Sequence, residues 1–145
     1  METTVSLVQM LDARERRVQH QQELLAQYHK PLICFTMNIC GPVKDSPLIR
    51  RGFARGRQLL RQQFLRAKLV PLREDAIREV TGCEAFYVLD ADPLTIKKFT
   101  TDIEDATPLG RLFDMDVIRP NGRKVDREEL HLEGRRCLIC GGPAK

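Results

Sequence analysis

The chain lacks tryptophan and has little aromatic character, with two tyrosines and six phenylalanines among its 145 residues. It also lacks any apolar run near the roughly 20 residues that a membrane-spanning helix needs. The N-terminus has neither the basic start nor the apolar core of a secretory signal. We therefore expect no membrane insertion and a cytoplasmic location.

Internal repeats, low-complexity tracts and the zinc-finger, RNP and basic-zipper patterns are missing as well. Together with the scarcity of aromatic side chains, this argues against a nucleic-acid-binding protein. Hydrophobic residues make up 42% and charged residues 30% of the chain. Such a composition is typical of one globular domain, which we expect to span residues 1–145.

The five cysteines are odd in number and show no disulfide-framework spacing, so reduced thiols are expected. Cys34, Cys40 and Cys83 lie in apolar surroundings and are interpreted as small core residues. Cys137 and Cys140 have the spacing of half a zinc knuckle, but tetrahedral zinc needs four ligands. Because the other half is missing, two free thiols are favoured over an incomplete zinc site, and no zinc is expected.

Positive charge is in excess, at a formal net charge of +4, and it is uneven. Seven cations crowd one short stretch, namely Arg50, Arg51, Arg55, Arg57, Arg61, Arg66 and Lys68. An anionic partner is the expected consequence.

Periodicity and capping signals predict the order α-β-α-β-β-α-β-β. The predicted elements are a helix over 6–28, a buried strand over 31–40, a helix from Ser46-Pro47, strands over 68–80 and 83–89, a helix over 92–105, and a hairpin of strands over 112–119 and 123–127 joined by Asn121-Gly122. This order lacks the alternation of a doubly wound fold. We expect an α+β fold in which about three helices cover a mixed sheet. His20 and His29 are expected to be exposed helix residues, and no nucleophile motif accompanies them.

The most informative stretch is Gly110-Arg-Leu-Phe-Asp-Met-Asp-Val-Ile118, which contains two aspartates two residues apart. Because strand side chains alternate, Asp114 and Asp116 share one face, while Phe113, Met115 and Val117 share the other. Two adjacent carboxylates can hold a magnesium ion whose remaining ligands come from substrate phosphates. The alternative is a hairpin whose acidic outer face only serves solubility.

A second candidate site is Gly41-Pro-Val-Lys-Asp45, which joins the buried strand to the basic helix. Gly41 lets an anion approach the backbone, and the helix N-terminus and Lys44 add positive charge. Arg50 or Arg51, one turn later, can form a bidentate contact to phosphate. A simple turn before a capped helix is the alternative.

These motifs, in this order, resemble the citrate lyase holo-acyl-carrier-protein synthase family, also called apo-citrate lyase phosphoribosyl-dephospho-CoA transferases. The similarity runs from about Leu11 to the end of the chain. The matching segments are Leu11-Asp-Ala-Arg-Glu-Arg16, Pro31-Leu-Ile-Cys-Phe-Thr36, Gly41-Pro-Val-Lys-Asp45, Arg51-Gly-Phe53 with Gly56, Pro108-Leu-Gly-Arg-Leu-Phe-Asp-Met-Asp-Val117, Gly122, Arg127 and Arg135-Arg-Cys-Leu-Ile-Cys140.

The resemblance implies an enzyme that moves phosphoribosyl-dephospho-CoA from triphosphoribosyl-dephospho-CoA to a serine of apo-citrate lyase acyl carrier protein, the gamma subunit, and releases diphosphate. Asp114 and Asp116 would hold magnesium, and one of them would orient the serine hydroxyl. The candidate triphosphate contacts are Lys44, Arg50, Arg51 and Arg111, beside Gly41. The aspartate pair also resembles the strand of polymerase-beta-like nucleotidyltransferases, although the Gly-Ser motif that usually precedes that strand is absent.

Two features depart from the family pattern. Asp126 stands where the family has serine before Arg127, and members continue past the CxxC into a segment with another Cys and a His. The segment 137–145 is therefore interpreted as truncated. The functional alternative is a non-catalytic basic adaptor that docks an acidic carrier protein or nucleic acid through the helix bearing Arg50 to Arg66.

Overall fold

The computed structural model describes residues 3–130, which form three α-helices, four β-strands and two short 3-10 helices. The α+β fold class is confirmed. The elements are α1 (Leu7–Tyr28), β1 (Leu32–Met37), α2 (Pro47–Arg66), β2 (Arg73–Glu79), β3 (Gly82–Val88), α3 (Pro93–Ala106), a 3-10 helix (Leu109–Leu112), β4 (Phe113–Ile118) and a second 3-10 helix (Arg127–Leu130).

The helices begin where the capping signals predicted. The Ser6 side chain accepts a hydrogen bond from the backbone N–H of Gln9, and the Gln9 side-chain oxygen accepts one from the backbone N–H of Ser6. Ser46 and Asp92 cap α2 and α3, each followed by proline in the first turn. These side chains satisfy backbone donors that the first helical turn leaves without partners.

The four strands form one sheet in the order β2-β3-β1-β4, and every neighbouring pair is antiparallel. The sheet is thus antiparallel throughout rather than mixed. The central strand β1 is buried from Leu32 to Phe35, as its apolar run predicted. The aspartate strand β4 lies at one edge.

The eighth predicted element, a strand over 123–127, was wrong. After the Asn121-Gly122 turn the chain makes an isolated bridge between Ile118 and Lys124. A second 3-10 helix then begins at Arg127, with the backbone N–H of Glu129 donating to the carbonyl of Asp126. The pairing ends because this turn carries the chain away from β4.

The two faces of the sheet are covered by different helices. One face packs against α2 and α3 and contains the larger core, which includes Phe35, Phe53, Leu60, Phe64, Tyr87, Ile96, Phe113, Met115 and Val117. The other face is covered by α1, whose Leu24 and Leu25 pack on Leu32, Cys34, Phe86, Val88 and Ile118. The site described below lies on the α1 face, beyond this smaller core.

The cysteine prediction is confirmed at two of three positions. Cys34 and Cys83 are buried, whereas Cys40 is exposed, because β1 ends at Met37 and the chain has left the core by residue 40. Cys137 and Cys140 lie outside the described residues. Within residues 3–130, no helix combines the length and apolarity that crossing a membrane requires.

Candidate functional site

The aspartate pair lies on the face of β4 that looks towards α1. Phe113, Met115 and Val117 are fully buried on the opposite face, as the alternation predicted. Across the strand pairing, Asp114 lies opposite Thr36 and Asp116 lies opposite Cys34 of β1. The pair therefore shares a face, but its members stand at different depths: Asp114 is exposed and Asp116 is half-buried.

A polar cavity of about 170 Å³ opens beside Asp114, between α1, the sheet and the loop after β1. We call it the charged cavity, because its wall contains Arg14, Arg17, Lys44, Glu84 and Asp114. Thr36, Thr81, Gly82 and Cys83 also line it. The structure thus brings together one predicted aspartate and the predicted lysine, which are 70 residues apart in the sequence.

Lys44 reaches this position through the turn that follows β1. Gly41 adopts a φ of +84°, a conformation that side chains disfavour, and so turns the chain before the Ser46 cap. The Lys44 ammonium donates a hydrogen bond to the carbonyl oxygen of Ile39. An ammonium has three N–H donors, so this contact leaves donors that can serve a ligand.

Sequence reasoning missed the contribution of α1. Arg14 and Arg17 line the charged cavity, and the Arg17 guanidinium donates to the Glu84 carboxylate on β3. The spacing of three residues puts both arginines on one side of a helix. This spacing was the available signal, but it does not show which strand the two side chains face.

Asp116 is held by a cation of its own. Lys124 Nζ donates to Asp116 Oδ2 over 3.0 Å, and the Asp116 side chain is 33% exposed. Partial burial acts to lower the pKa of Lys124, but the carboxylates of Asp116 and Asp114 outweigh it and raise that pKa. In the described part of the chain the cavity wall includes Asp114 and not Asp116.

The other predicted phosphate contacts stand apart from the cavity wall. Arg50 makes two 2.9 Å hydrogen bonds to Asp45, which lower the pKa of that carboxyl. Arg51 and Arg111 are exposed, on α2 and on the 3-10 helix before β4. None of these three arginines belongs to the wall formed by residues 3–130.

A buried carboxylate supports the aspartate strand from its open edge. Glu104 of α3 is 4% exposed, and its Oε2 accepts a hydrogen bond of 3.0 Å from the backbone N–H of Met115, between the two aspartates. Arg127 donates to Glu104 and Asp105 and so compensates the buried charge. No periodicity in the sequence predicts this contact.

The cysteine thiols of the site are not poised as nucleophiles. Cys34 lies opposite Asp116, and burial raises the pKa of its thiol to about 12. Burial also raises the pKa of Cys83, which lines the charged cavity. Because the thiolate is the nucleophilic form, both side chains act as packing residues at neutral pH.

The donor chemistry of the aspartate pair fits magnesium only when a substrate completes the coordination. Within residues 3–130, no group of three or more His, Cys, Asp or Glu side chains is placed to hold a metal ion. Magnesium commonly takes one or two carboxylates and fills its other positions with phosphate oxygens and water. Asp114 and Asp116 supply such a pair, with Lys124 already bound to one of its oxygens.

Comparison with known proteins gives a consistent result. Residues 5–145 match the family model of apo-citrate lyase phosphoribosyl-dephospho-CoA transferase. The chain is 35% identical over 136 residues to the protein of that name from Citrobacter koseri and 34% identical to that from Shigella boydii, covering 94% of this chain and 74% of each relative. It is also 36% identical to protein CitXG of Haemophilus influenzae, covering 97% of this chain but only 30% of that protein.

The match extends over the aspartate strand, the Lys44 turn and the α1 arginines alike. The resemblance drawn from sequence motifs is therefore confirmed, and the chain belongs to the apo-citrate lyase phosphoribosyl-dephospho-CoA transferase family.

Proposed function

We propose that this chain transfers the phosphoribosyl-dephospho-CoA group from triphosphoribosyl-dephospho-CoA to a serine of apo-citrate lyase acyl carrier protein, the gamma subunit. The observation that carries the proposal is the family match over residues 5–145. The geometry supports it, because a carboxylate pair adjoins a cavity with three cationic side chains. The match does not favour the alternative of a non-catalytic basic adaptor, and the CoA-derived donor is consistent with a cytoplasmic location.

The reaction forms one phosphorus–oxygen bond and breaks another. The serine hydroxyl oxygen attacks the phosphorus nearest the ribose, and the bond from that phosphorus to the outer two phosphates breaks, releasing diphosphate. The hydroxyl proton must leave as the new ester forms. Catalysis of such a step relies on positioning and on neutralising phosphate charge.

The side chains divide these tasks by position. Asp114 faces the charged cavity, so we assign its carboxylate the contact with the incoming serine hydroxyl. Lys44 lies across the cavity and neutralises phosphate charge. Asp114 and Asp116 would together hold magnesium, which supplies further neutralisation of the triphosphate when bound.

The test is modification of the carrier by purified protein. Apo carrier protein, triphosphoribosyl-dephospho-CoA and magnesium are incubated with the full chain, and the carrier is weighed by mass spectrometry. We expect a mass gain equal to one phosphoribosyl-dephospho-CoA group on serine. A folded sample that leaves the carrier unmodified contradicts the proposed function.

Asp114→Asn tests the assignment of the carboxylate. Because the amide cannot accept the proton or bind magnesium comparably, we expect the transfer rate to fall about a hundredfold or more, with the fold retained. The matched control is Asp102→Asn, which removes an exposed carboxylate paired with Lys98 on α3. Equal rates in the two variants would refute a role for Asp114.

A further inference from the structure

We propose that Arg14 and Arg17 of helix α1 bind the polyphosphate of the donor, so that α1, and not the arginine-rich helix α2, supplies the guanidinium contacts. This inference rests on the proposed function and names the residues that recognise its substrate. It begins from the placement of both side chains in the wall of the charged cavity.

Arg17 is a fixed element of the cavity. Its ion pair with Glu84 joins α1 to β3, and the two side chains are only 24% and 17% exposed. A guanidinium presents five N–H donors in a planar fork, so one carboxylate does not exhaust them. Arg17 can therefore donate to a phosphate while Glu84 keeps it in place.

Arg14 is the more available of the two. It lies one helical turn before Arg17 on the same side of α1, and its residue is exposed. Within residues 3–130 it makes no hydrogen bond or ion pair with another side chain. An exposed guanidinium in the wall of a cavity is suited to bidentate binding of phosphate.

The size and charge of the cavity fit a charged group rather than a whole donor molecule. Its volume is about 170 Å³, below the roughly 300–1,000 Å³ typical of sites that enclose a complete small ligand. Among its lining residues in the described range 3–130, the three cations Arg14, Arg17 and Lys44 outnumber the two carboxylates of Glu84 and Asp114. The cavity would thus take phosphate groups, with the rest of the donor lying outside it.

A larger cleft nearby has the opposite character. It measures about 850 Å³, lies on another side of α1, and contains Asp12, Glu15 and Glu79 in its wall. Arg16, the one arginine that residues 3–130 contribute to this cleft, is paired with Glu79 at 3.0 Å. Polyphosphate would be repelled there, which leaves the charged cavity as the better anion site.

Several arginines of α2 are already committed to carboxylates. Arg57 and Arg61 both donate to Glu74 on β2, over 2.9 and 3.1 Å, and Arg50 is paired with Asp45. Arg51, Arg55 and Arg66 are exposed and are not among the residues of the described chain, 3–130, that line the cavity. The density of arginine on α2 is therefore a poor guide to where phosphate binds.

The experiment measures binding of inorganic triphosphate by calorimetry to the full chain and to Arg14→Gln, with Arg16→Gln as the matched control. Both variants lose one charge from the same helix, but Arg16 faces the acidic cleft. We expect Arg14→Gln to weaken triphosphate binding about tenfold or more, and Arg16→Gln to change it less than about twofold. The KM for the donor in the transfer assay should rise in parallel for Arg14→Gln, with a smaller change in kcat.

Wild-type affinity in Arg14→Gln overturns the inference, as does equal weakening in both variants, which would indicate general charge attraction. Transfer to the carrier protein by the unaltered chain is measured as a separate experiment. If the chain modifies the carrier and Arg14→Gln binds triphosphate normally, only this inference fails. If triphosphate binding depends on Arg14 while the carrier stays unmodified, only the proposed function fails.

Discussion

At the scale of single residues, Asp114 and Asp116 of β4 have the same side chain but different surroundings. Asp114 faces the charged cavity, whereas Asp116 is bound by Lys124. The difference arises from the Asn121-Gly122 turn, which returns the chain beside β4 and sets Lys124 opposite Ile118. The turn therefore gives Asp116 a lysine partner, so the two aspartates differ in their contacts.

Lys124→Met tests whether Asp116 binds magnesium. If Asp116 holds magnesium, Lys124 competes with the metal for the same carboxylate, and its removal should lower the magnesium concentration that gives half-maximal transfer, by about threefold to tenfold. Magnesium titrations of carrier modification would measure it. Arg123→Met, one position earlier and exposed, should leave that concentration unchanged; an unchanged value in Lys124→Met would refute the competition.

The limits of sequence reasoning are clearest at this scale. Alternation in β4 was enough to predict that Asp114 and Asp116 share a face, because it depends only on strand geometry. Arg17 and Glu84 could not be paired from the sequence, since they are 67 residues apart. Periodicity predicts which side chains lie outside the apolar face of a helix, but not which strand those side chains contact.

At the scale of elements, the 3-10 helix before β4 positions the aspartate strand. The 3-10 helix Leu109–Leu112 packs against α3 so closely that a Cβ on Gly110 would lie 2.5 Å from the carbonyl oxygen of Ile103 and 2.6 Å from that of Glu104. These are backbone atoms of the turn that also carries the Glu104 carboxylate. The start of β4 and the support of its edge are thus set by one tight contact.

Gly110→Ala should therefore destabilise the protein by about 2 kcal/mol, because backbone rather than a side chain must shift. The transfer rate should fall too, as β4 moves. Gly52→Ala is the matched control: there a Cβ would meet the methyl carbon of Met37 at 3.1 Å, a flexible side-chain end, and alanine favours the helix. Chemical denaturation of both variants measures the difference, and equal stabilities would contradict the account.

Element boundaries were predictable where a local signal set them. Ser46-Pro47 and Asp92-Pro93 begin α2 and α3 as predicted, because capping involves only neighbouring residues. The start of β2 was predicted at residue 68 but lies at Arg73. Lys68 adopts a φ of +56° and Pro71 has no backbone N–H, so the intervening chain is a connection instead of a strand.

At the scale of the whole molecule, α1 is the only helix within residues 3–130 that covers its face of the sheet. Its later part is anchored by Leu24 and Leu25, and its middle by polar contacts to β2 and β3. His20, predicted to be exposed, is half-buried: its ring lies 2.8 Å from Asp75 Oδ2 and packs edge-on against Phe86. Which face α1 would cover was not encoded in any local pattern.

Asp75→Asn tests this attachment through pH. Burial acts to raise the pKa of Asp75, but hydrogen bonds with Arg73 and His20 outweigh it and hold that pKa below its ordinary 3.8. A lowered carboxyl pKa contributes stability that is present above 3.8 and lost as the pH falls through the folded-state value. We expect the variant to melt about 3 °C lower near neutral pH, with the difference shrinking below about pH 4.

Thermal unfolding followed by circular dichroism across this pH range gives the measurement. Asp102→Asn, which breaks an exposed pair on α3, should melt like the unaltered chain at each pH. A melting difference for Asp75→Asn that stays constant into strong acid would show that the carboxylate charge is not its cause.

The polar contacts that attach α1 to the sheet link substrate binding to the stability of this helix. Between Ala13 and Leu24 the helix buries no residue fully, so this stretch is fastened by Arg17, His20 and their partners rather than by a core. It can open locally without unfolding the sheet, and its amides should exchange with solvent sooner than those of β1. A polyphosphate bound by Arg14 and Arg17 would add contacts between α1 and the rest of the cavity wall. Binding of the donor would therefore reduce the local opening of this part of α1.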